Sequence, residues 1–280
     1  MKTISSRQNP IVRACRELAA RPDAADRRLL LDGVHLVREA RAAALEFEAI
    51  AVASSHLAGD TEEGNLARLL ESTGSPVFSA TGAAFSAMSP VRSPSGILAI
   101  ARRTPSDAGA ICRARHAFIL IAVDIQDPGN LGALARVAEA AGVTGLLVAG
   151  ASANPFSWKA LRGSMGSALR LPIVGGLAPD AAVRCATISG AGTVAAVPRG
   201  GRAPEAVDWS GPMALLLGGE GPGLPAGVLS QCDQLVTIPM ASPVESLNVA
   251  VAGAILLYAA RLQRSPAGDD RGLLSDSRQT

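Results

Sequence analysis

Two hydrophobic rhythms alternate along this chain. Short aliphatic runs predict strands at residues 27–31, 49–54, 77–79 and 97–101. Helical spacing predicts helices between them at 5–20, 33–44 and 62–73. Ser5, Ser6 and the pair Asn9-Pro10 suit the start of the first helix, and Val34, Val37, Ala40 and Ala44 share one face of the second. Strand and helix alternating in this way predict an α/β unit over 1–104. The segment Arg102-Arg103-Thr-Pro-Ser-Asp-Ala-Gly109 gathers Pro, Gly and polar residues and predicts a linker.

A second α/β unit is predicted over 110–264. Residues 118–124 form an unbroken apolar run of the kind found in strands buried on both faces. Helices follow at 131–141 and 158–167, with strands at 145–148, 171–174, 193–197, 213–217 and 235–238. A helix of small apolar residues begins after Asn248 or a few residues earlier. Residues 265–280 lose all periodicity and predict a disordered tail.

Composition narrows the class. Hydrophobic residues make up 48% of the chain but aromatics only 3%, so the core must be built of Ala, Val, Leu and Ile. The formal net charge is +2, so affinity for a polyanion must come from a local patch. Lys2, Arg7, Arg13, Arg16, Arg27 and Arg28 are candidates, with Arg92, Arg102 and Arg103 as an extension towards the second unit. Cys15, Cys112, Cys185 and Cys232 are scattered, as are His35, His56 and His116, so no metal site and a reducing, cytoplasmic setting are expected. The longest apolar run, 249–260, is shorter than the roughly 20 residues that span a bilayer.

Three constellations stand at the ends of predicted strands, where open α/β sheets bind ligands. The first is Asp127-Pro128-Gly129-Asn130-Leu-Gly132, with Arg136 on the far side of the helix from its apolar face. Asn130 reads equally well as a helix cap followed by a solvated arginine. The second is Gly218-Gly219-Glu220-Gly221-Pro222-Gly223, which is neither a dinucleotide fingerprint nor a P-loop. A plain turn with Glu220 on the surface accounts for it as readily. The third runs from Ile238-Pro239-Met240 to Val244-Glu245-Ser246-Leu247-Asn248. There, Ser242-Pro243-Val244-Glu245 fits a capping box, which explains Ser242 and Glu245 but leaves Ser246 and Asn248 inside the first helical turns. The small residues Ala250, Ala252, Gly253 and Ala254 predict close packing against another backbone, in the core or between subunits.

Together these segments resemble the three motifs of the SpoU (TrmH-type) RNA 2'-O-methyltransferases, of the SPOUT class. Asn130, Gly132 and Arg136 match Asn-x-Gly-x-x-x-Arg; Gly218, Glu220, Gly221 and Gly223 match Gly-x-Glu-Gly-x-Gly; Ile238, Pro239, Met240 and Val244 to Asn248 match the third motif. The stretch from Arg162 to Pro172 is also similar to the family's pattern. The N-terminal part resembles the L30e-like α/β domain that binds substrate in the family, with Asp32 before Gly33 where the family usually carries Glu. Ala241-Ser242-Pro243 stands where the family commonly has a glycine.

The resemblance implies a C-terminal SPOUT domain with a parallel sheet and a trefoil knot, a rare exception to unknotted chains. It implies S-adenosylmethionine (AdoMet) as methyl donor and a homodimer through the C-terminal domain. Arg136 is implied as the catalytic arginine, with Asn130, Glu220, Ser246 and Asn248 completing the site. Gly218, Gly219, Ile238, Met240 and Leu247 are implied at the cofactor. The substrate implied is a ribose 2'-hydroxyl, in ribosomal RNA first and transfer RNA second. A non-catalytic RNA-binding or assembly factor keeping the fold is the rival from another class. An oxidoreductase is disfavoured because no proper GxGxxG is present.

Overall fold

A computed structural model describes residues 1–20 and 25–264; the tail expected at 265–280 lies outside the described residues. The chain builds two sheets. The first comes from β1 (Lys2–Ile4), β2 (Arg28–Asp32), β3 (Glu46–Ala53), β4 (Val77–Ala80) and β5 (Ile97–Arg102), in the order β1-β4-β3-β5-β2. It is mixed: β5 runs antiparallel to both β2 and β3, while β1, β3 and β4 run parallel. Four helices pack on it: α1 (Pro10–Ala20), α2 (Val34–Ala42), α3 (Glu62–Ser72) and α4 (Gly82–Met88).

The second sheet is wholly parallel. Its strands are β6 (Phe118–Val123), β7 (Gly145–Ala149), β8 (Ile173–Leu177), β9 (Gly192–Ala196), β10 (Met213–Gly218) and β11 (Gln234–Val236), in the order β11-β9-β10-β6-β7-β8. Around it lie α5 (Ala108–Cys112), α6 (Pro128–Ala141), α7 (Trp158–Ser164), α8 (Ser167–Arg170), α9 (Pro179–Ile188), α10 (Ala226–Leu229) and α11 (Val249–Arg264). Every residue of β6 and β7 is buried, as expected of a parallel sheet covered on both faces.

The end of this sheet is unusual. β11 pairs with β9 along one edge, while Arg202 bridges Val236 along the other. The chain between β9 and Arg202 therefore straps β11 on both sides. A methyl group at Gly201 would lie 2.6 Å from the Val236 carbonyl carbon, so only glycine lets the strap lie flat there. From inside this strap the chain returns across the sheet to pack α11 on α6 and β10, in keeping with the passage that the resemblance implies.

The two sheets are joined through α7. This helix lies against β2, the edge strand of the first sheet, with Leu161 in the main core and Trp158 packed on the cluster around α1 and α4. An exposed edge is thereby covered, which removes a site of unwanted strand pairing.

Several expectations need correction. No helix starts at residue 5. Residues 2–4 form β1, and α1 begins at Pro10, whose missing N–H suits a first helical position, with the Asn9 side chain accepting from Ile11 N at 2.9 Å. The helix expected at 158–167 is two short ones, because Met165 (φ 49°) and Gly166 (φ 91°) are left-handed and interrupt the ladder. The strand β1 and helices α4, α5, α9 and α10 are too short or too alanine-rich to declare themselves in the sequence. The small residues of α11 meet side chains instead of a backbone: a methyl at Gly253 would lie 2.5 Å from Leu134 Cδ2 and 3.0 Å from Leu217 Cδ1.

Candidate active site at the ends of β9, β10 and β11

Where β9, β10 and β11 end, the chain leaves a cavity of about 250 Å³. Its walls are mainly apolar, from Val197, Leu217, Val236, Ile238, Met240, Leu247, Ala252 and Leu256. Its polar lining comes from the backbone of Gly218, Gly219 and Gly221 and from Glu220 and Ser246. Seven predicted site residues thus meet here: Gly218, Gly219, Glu220, Ile238, Met240, Ser246 and Leu247.

The glycines are there because backbones meet. In β10, Gly218 pairs in register with Val123 of β6. A methyl on Gly218 would stand 2.4 Å from Gly223 C, and one on Gly219 only 2.1 Å from Asp124 O. No side chain fits either place. Beneath Gly219, Asp124 adopts φ 57°, a conformation disfavoured for a side-chain-bearing residue. Its Oδ1 accepts from Ala151 N at 2.7 Å, which helps to hold the turn. Gly132 is also a packing residue. A methyl there would lie 2.3 Å from Ala160 O, so this glycine lets α6 and α7 cross closely.

Three loops are knitted at the mouth of the cavity. Asn248 caps α11, its Oδ1 accepting from Ala250 N at 2.9 Å and Val251 N at 3.3 Å. With its oxygen committed, the Asn248 amide nitrogen donates to Asn130 Oδ1 at 3.0 Å. Asn130 Nδ2 in turn donates to Glu220 Oε1 at 2.5 Å. Each amide has its orientation fixed by the one before, and the run ends on a carboxylate, a strong acceptor.

This geometry replaces two bland readings. Asn130 is not the cap of α6, because Asp127 is, its Oδ1 accepting from Asn130 N at 2.8 Å. The Ser242–Glu245 capping box does not form either. Helix α11 starts only at Val249, and Glu245 lies outside it, 3.9 Å from Arg199. Ser246 is therefore a loop residue, free to line the cavity.

Arg136 stands apart. It is exposed on α6, does not line the cavity and makes no hydrogen bond or ion pair with any described residue. It lies at i+7 from Gly129, on the α6 stripe that also holds Gly132 and Ala133, and α7 crosses that stripe at Gly163. Other arginines are engaged. Arg28 pairs with Asp26 at 2.7 Å, Arg102 with Glu48, and Arg103 stacks 4.1 Å over Phe156. The proposed extension of the basic patch through Arg102 and Arg103 is thus occupied internally, whereas Lys2, Arg7, Arg13, Arg16, Arg27 and Arg92 are exposed.

Cysteine chemistry is not supported. Burial pushes the Cys15 and Cys112 thiols up to about 12 and the Cys232 thiol to about 11, so thiolates are scarce near neutrality. Sequence reasoning missed the β9 contribution of Ala196, Val197 and Pro198 and the α11 residues Val249, Ala252 and Leu256. The former could have been found from the rule that ligands sit at the carboxyl ends of parallel strands.

Comparisons with known proteins place this geometry. Residues 103–258 match the model of the SpoU rRNA Methylase family. An uncharacterised tRNA/rRNA methyltransferase of Synechocystis is 32% identical over 265 residues, covering 94% of each chain. The 23S rRNA (guanosine(2553)-2'-O)-methyltransferase RlmP of Bacillus subtilis is 30% identical over 260 residues, covering 92% of this chain and 98% of its own. An AdoMet-bound rRNA methyltransferase from Sinorhizobium meliloti superposes with a TM-score of 0.81 at 26% identity, over 95% of this chain and 99% of that one. An apolar slot edged by glycine backbone suits a nucleoside-bearing cofactor. With its second and third motifs lining one cavity and Asn130 of the first bonded to both at its mouth, the chain belongs to the SpoU rRNA Methylase family, AdoMet-dependent RNA 2'-O-methyltransferases of the SPOUT fold.

Proposed function

We propose that this protein methylates a ribose 2'-hydroxyl of ribosomal RNA in the cytoplasm, with residues 1–104 holding the RNA and 110–264 carrying the transfer. The observation that carries the reading is the run from Asn248 through Asn130 to Glu220, which ties all three motifs together at the cavity. Gly218, Gly219, Ile238, Met240 and Leu247 hold the cofactor, with backbone groups and apolar walls in place of charged side chains. When bound, AdoMet supplies an electrophilic methyl group on a sulfonium.

The protein's share is to position and to exclude water. Asn130, Glu220, Ser246 and Asn248 fix the loops and meet the polar parts of cofactor and ribose. Arg136 binds the phosphate next to the target ribose and orients the hydroxyl. A guanidinium stays protonated at physiological pH, so Arg136 is a poor base and acts by binding and orienting.

Arg136 lies outside the cavity of its own chain, which fits a site completed by a second copy. Helix α11 presents Val251, Ile255, Tyr258 and Leu262 in one exposed stripe, with Tyr258 and Leu262 61% and 62% accessible. An apolar helix face of this kind suits a homodimer interface. The exposed basic residues of the first unit, Lys2, Arg7, Arg13, Arg16 and Arg27, suit contacts to the RNA backbone.

Mapping 2'-O-methyl positions in total RNA with and without the gene tests the reading. One ribosomal methyl group should disappear on deletion. Loss of a transfer RNA methyl instead would move the substrate, and an unchanged map would overturn the enzymatic role.

A further inference from the structure

Arg136 has an acidic neighbour at helical spacing, Glu139, three residues further along α6. Arginine and glutamate so placed can pair across one turn. Here they do not. Arg170 Nε donates to Glu139 Oε1 at 2.7 Å, and Arg170 Nη2 donates to Oε2 at 2.8 Å. Both carboxylate oxygens are taken up by one planar fork, the strongest arrangement available to a carboxylate. The same guanidinium also pairs with Glu39 of α2 through Nη1.

The turn that presents Arg170 is held from both units. Met165 and Gly166 are left-handed, and a methyl on Gly166 would stand 2.6 Å from Glu39 Cγ. His35 Nε2 lies 3.0 Å from Met165 O. Arg170 is thus fixed between α2 of the first sheet's unit and α6 of the second.

We propose that Arg170 is a positioning residue: by occupying Glu139 it keeps Arg136 free of an internal partner, so that Arg136 is available to an RNA phosphate. Without it, Glu139 turns to Arg136 and also places an unneutralised charge beside the RNA backbone. Glu39 ties this arrangement to the RNA-holding unit, so the docking of that unit and the freedom of Arg136 are set by one side chain. The inference rests on the reading of Arg136 as a phosphate-binding residue.

The test is methylation of ribosomal RNA by the full chain with AdoMet, for wild type, Arg170→Met and Arg170→Met with Glu139→Gln. Arg170→Met should lower kcat/KM by about twofold to fivefold, the size expected of a competing surface ion pair. Adding Glu139→Gln should restore most of that loss, which a merely structural role would not allow. AdoMet affinity should stay the same in all three. Should Arg170→Met fail to fold, Arg170→Lys serves in its place, with a smaller loss and the same rescue. Undiminished activity in the single variant, or a loss that Glu139→Gln leaves in place, overturns the proposal. A wild type that methylates no ribosomal RNA overturns the functional reading beneath it instead.

Discussion

The cavity and the arginine surface of α6 are built on opposite plans. The cavity is closed within one chain: Gly218 and Gly219 without room for a methyl group, apolar walls, and a run of amides ending on Glu220. Arg136, two turns along the same helix as Asn130, touches none of this and has no partner among the described residues. On the proposed reading, cofactor binding is a property of the single chain, whereas methyl transfer needs RNA and a second copy to reach Arg136. The two should fail separately.

The largest effect is expected inside the cavity. Gly219→Val places its side chain against Asp124 O, and AdoMet binding measured by calorimetry should weaken by at least about 100-fold, roughly 2.7 kcal/mol. Next comes the surface. Ile255→Glu with Tyr258→Glu puts charge on the exposed α11 stripe, and sedimentation should show a monomer. Methylation should fall by roughly 30-fold while AdoMet affinity drops no more than about threefold, since the cavity lies within one chain. A dimer that survives the double charge would put the interface elsewhere. The smallest effect belongs to the link between the regions. Asn248→Ala removes the α11 cap, worth about 1 kcal/mol, and should lower Tm by about 2–4 °C and AdoMet affinity by roughly fivefold.

The sequence exposed the two regions unequally, for physical reasons. Unbroken apolar runs such as 118–123 and 213–217 declared the buried parallel strands because both their faces meet core. The glycines at 218–223 and the amides at 130 and 248 stood out because polar groups and bare backbone at strand ends are costly unless used. What stayed hidden depended on contacts distant in sequence. Asp127 and not Asn130 caps α6, and Asn248 and not Ser242 caps α11; both pairs carry suitable side chains, and the bonds from Asn130 to Glu220 and from Asn248 to Asn130 decide between them. Arg170, 31 residues from Glu139, gave no local sign that the two would pair. Likewise, nothing near Arg102 or Arg103 in the sequence revealed that Glu48 and Phe156 engage them.

The separation of the two regions is tested most directly by Arg136→Ala, titrated with AdoMet and then assayed for methyl transfer to ribosomal RNA. The account predicts wild-type affinity for AdoMet, within about twofold, together with a loss of transfer of at least about 100-fold, as expected when a group that holds the reacting hydroxyl in position is removed. Transfer within a few-fold of wild type, or cofactor affinity lost along with it, would contradict the account.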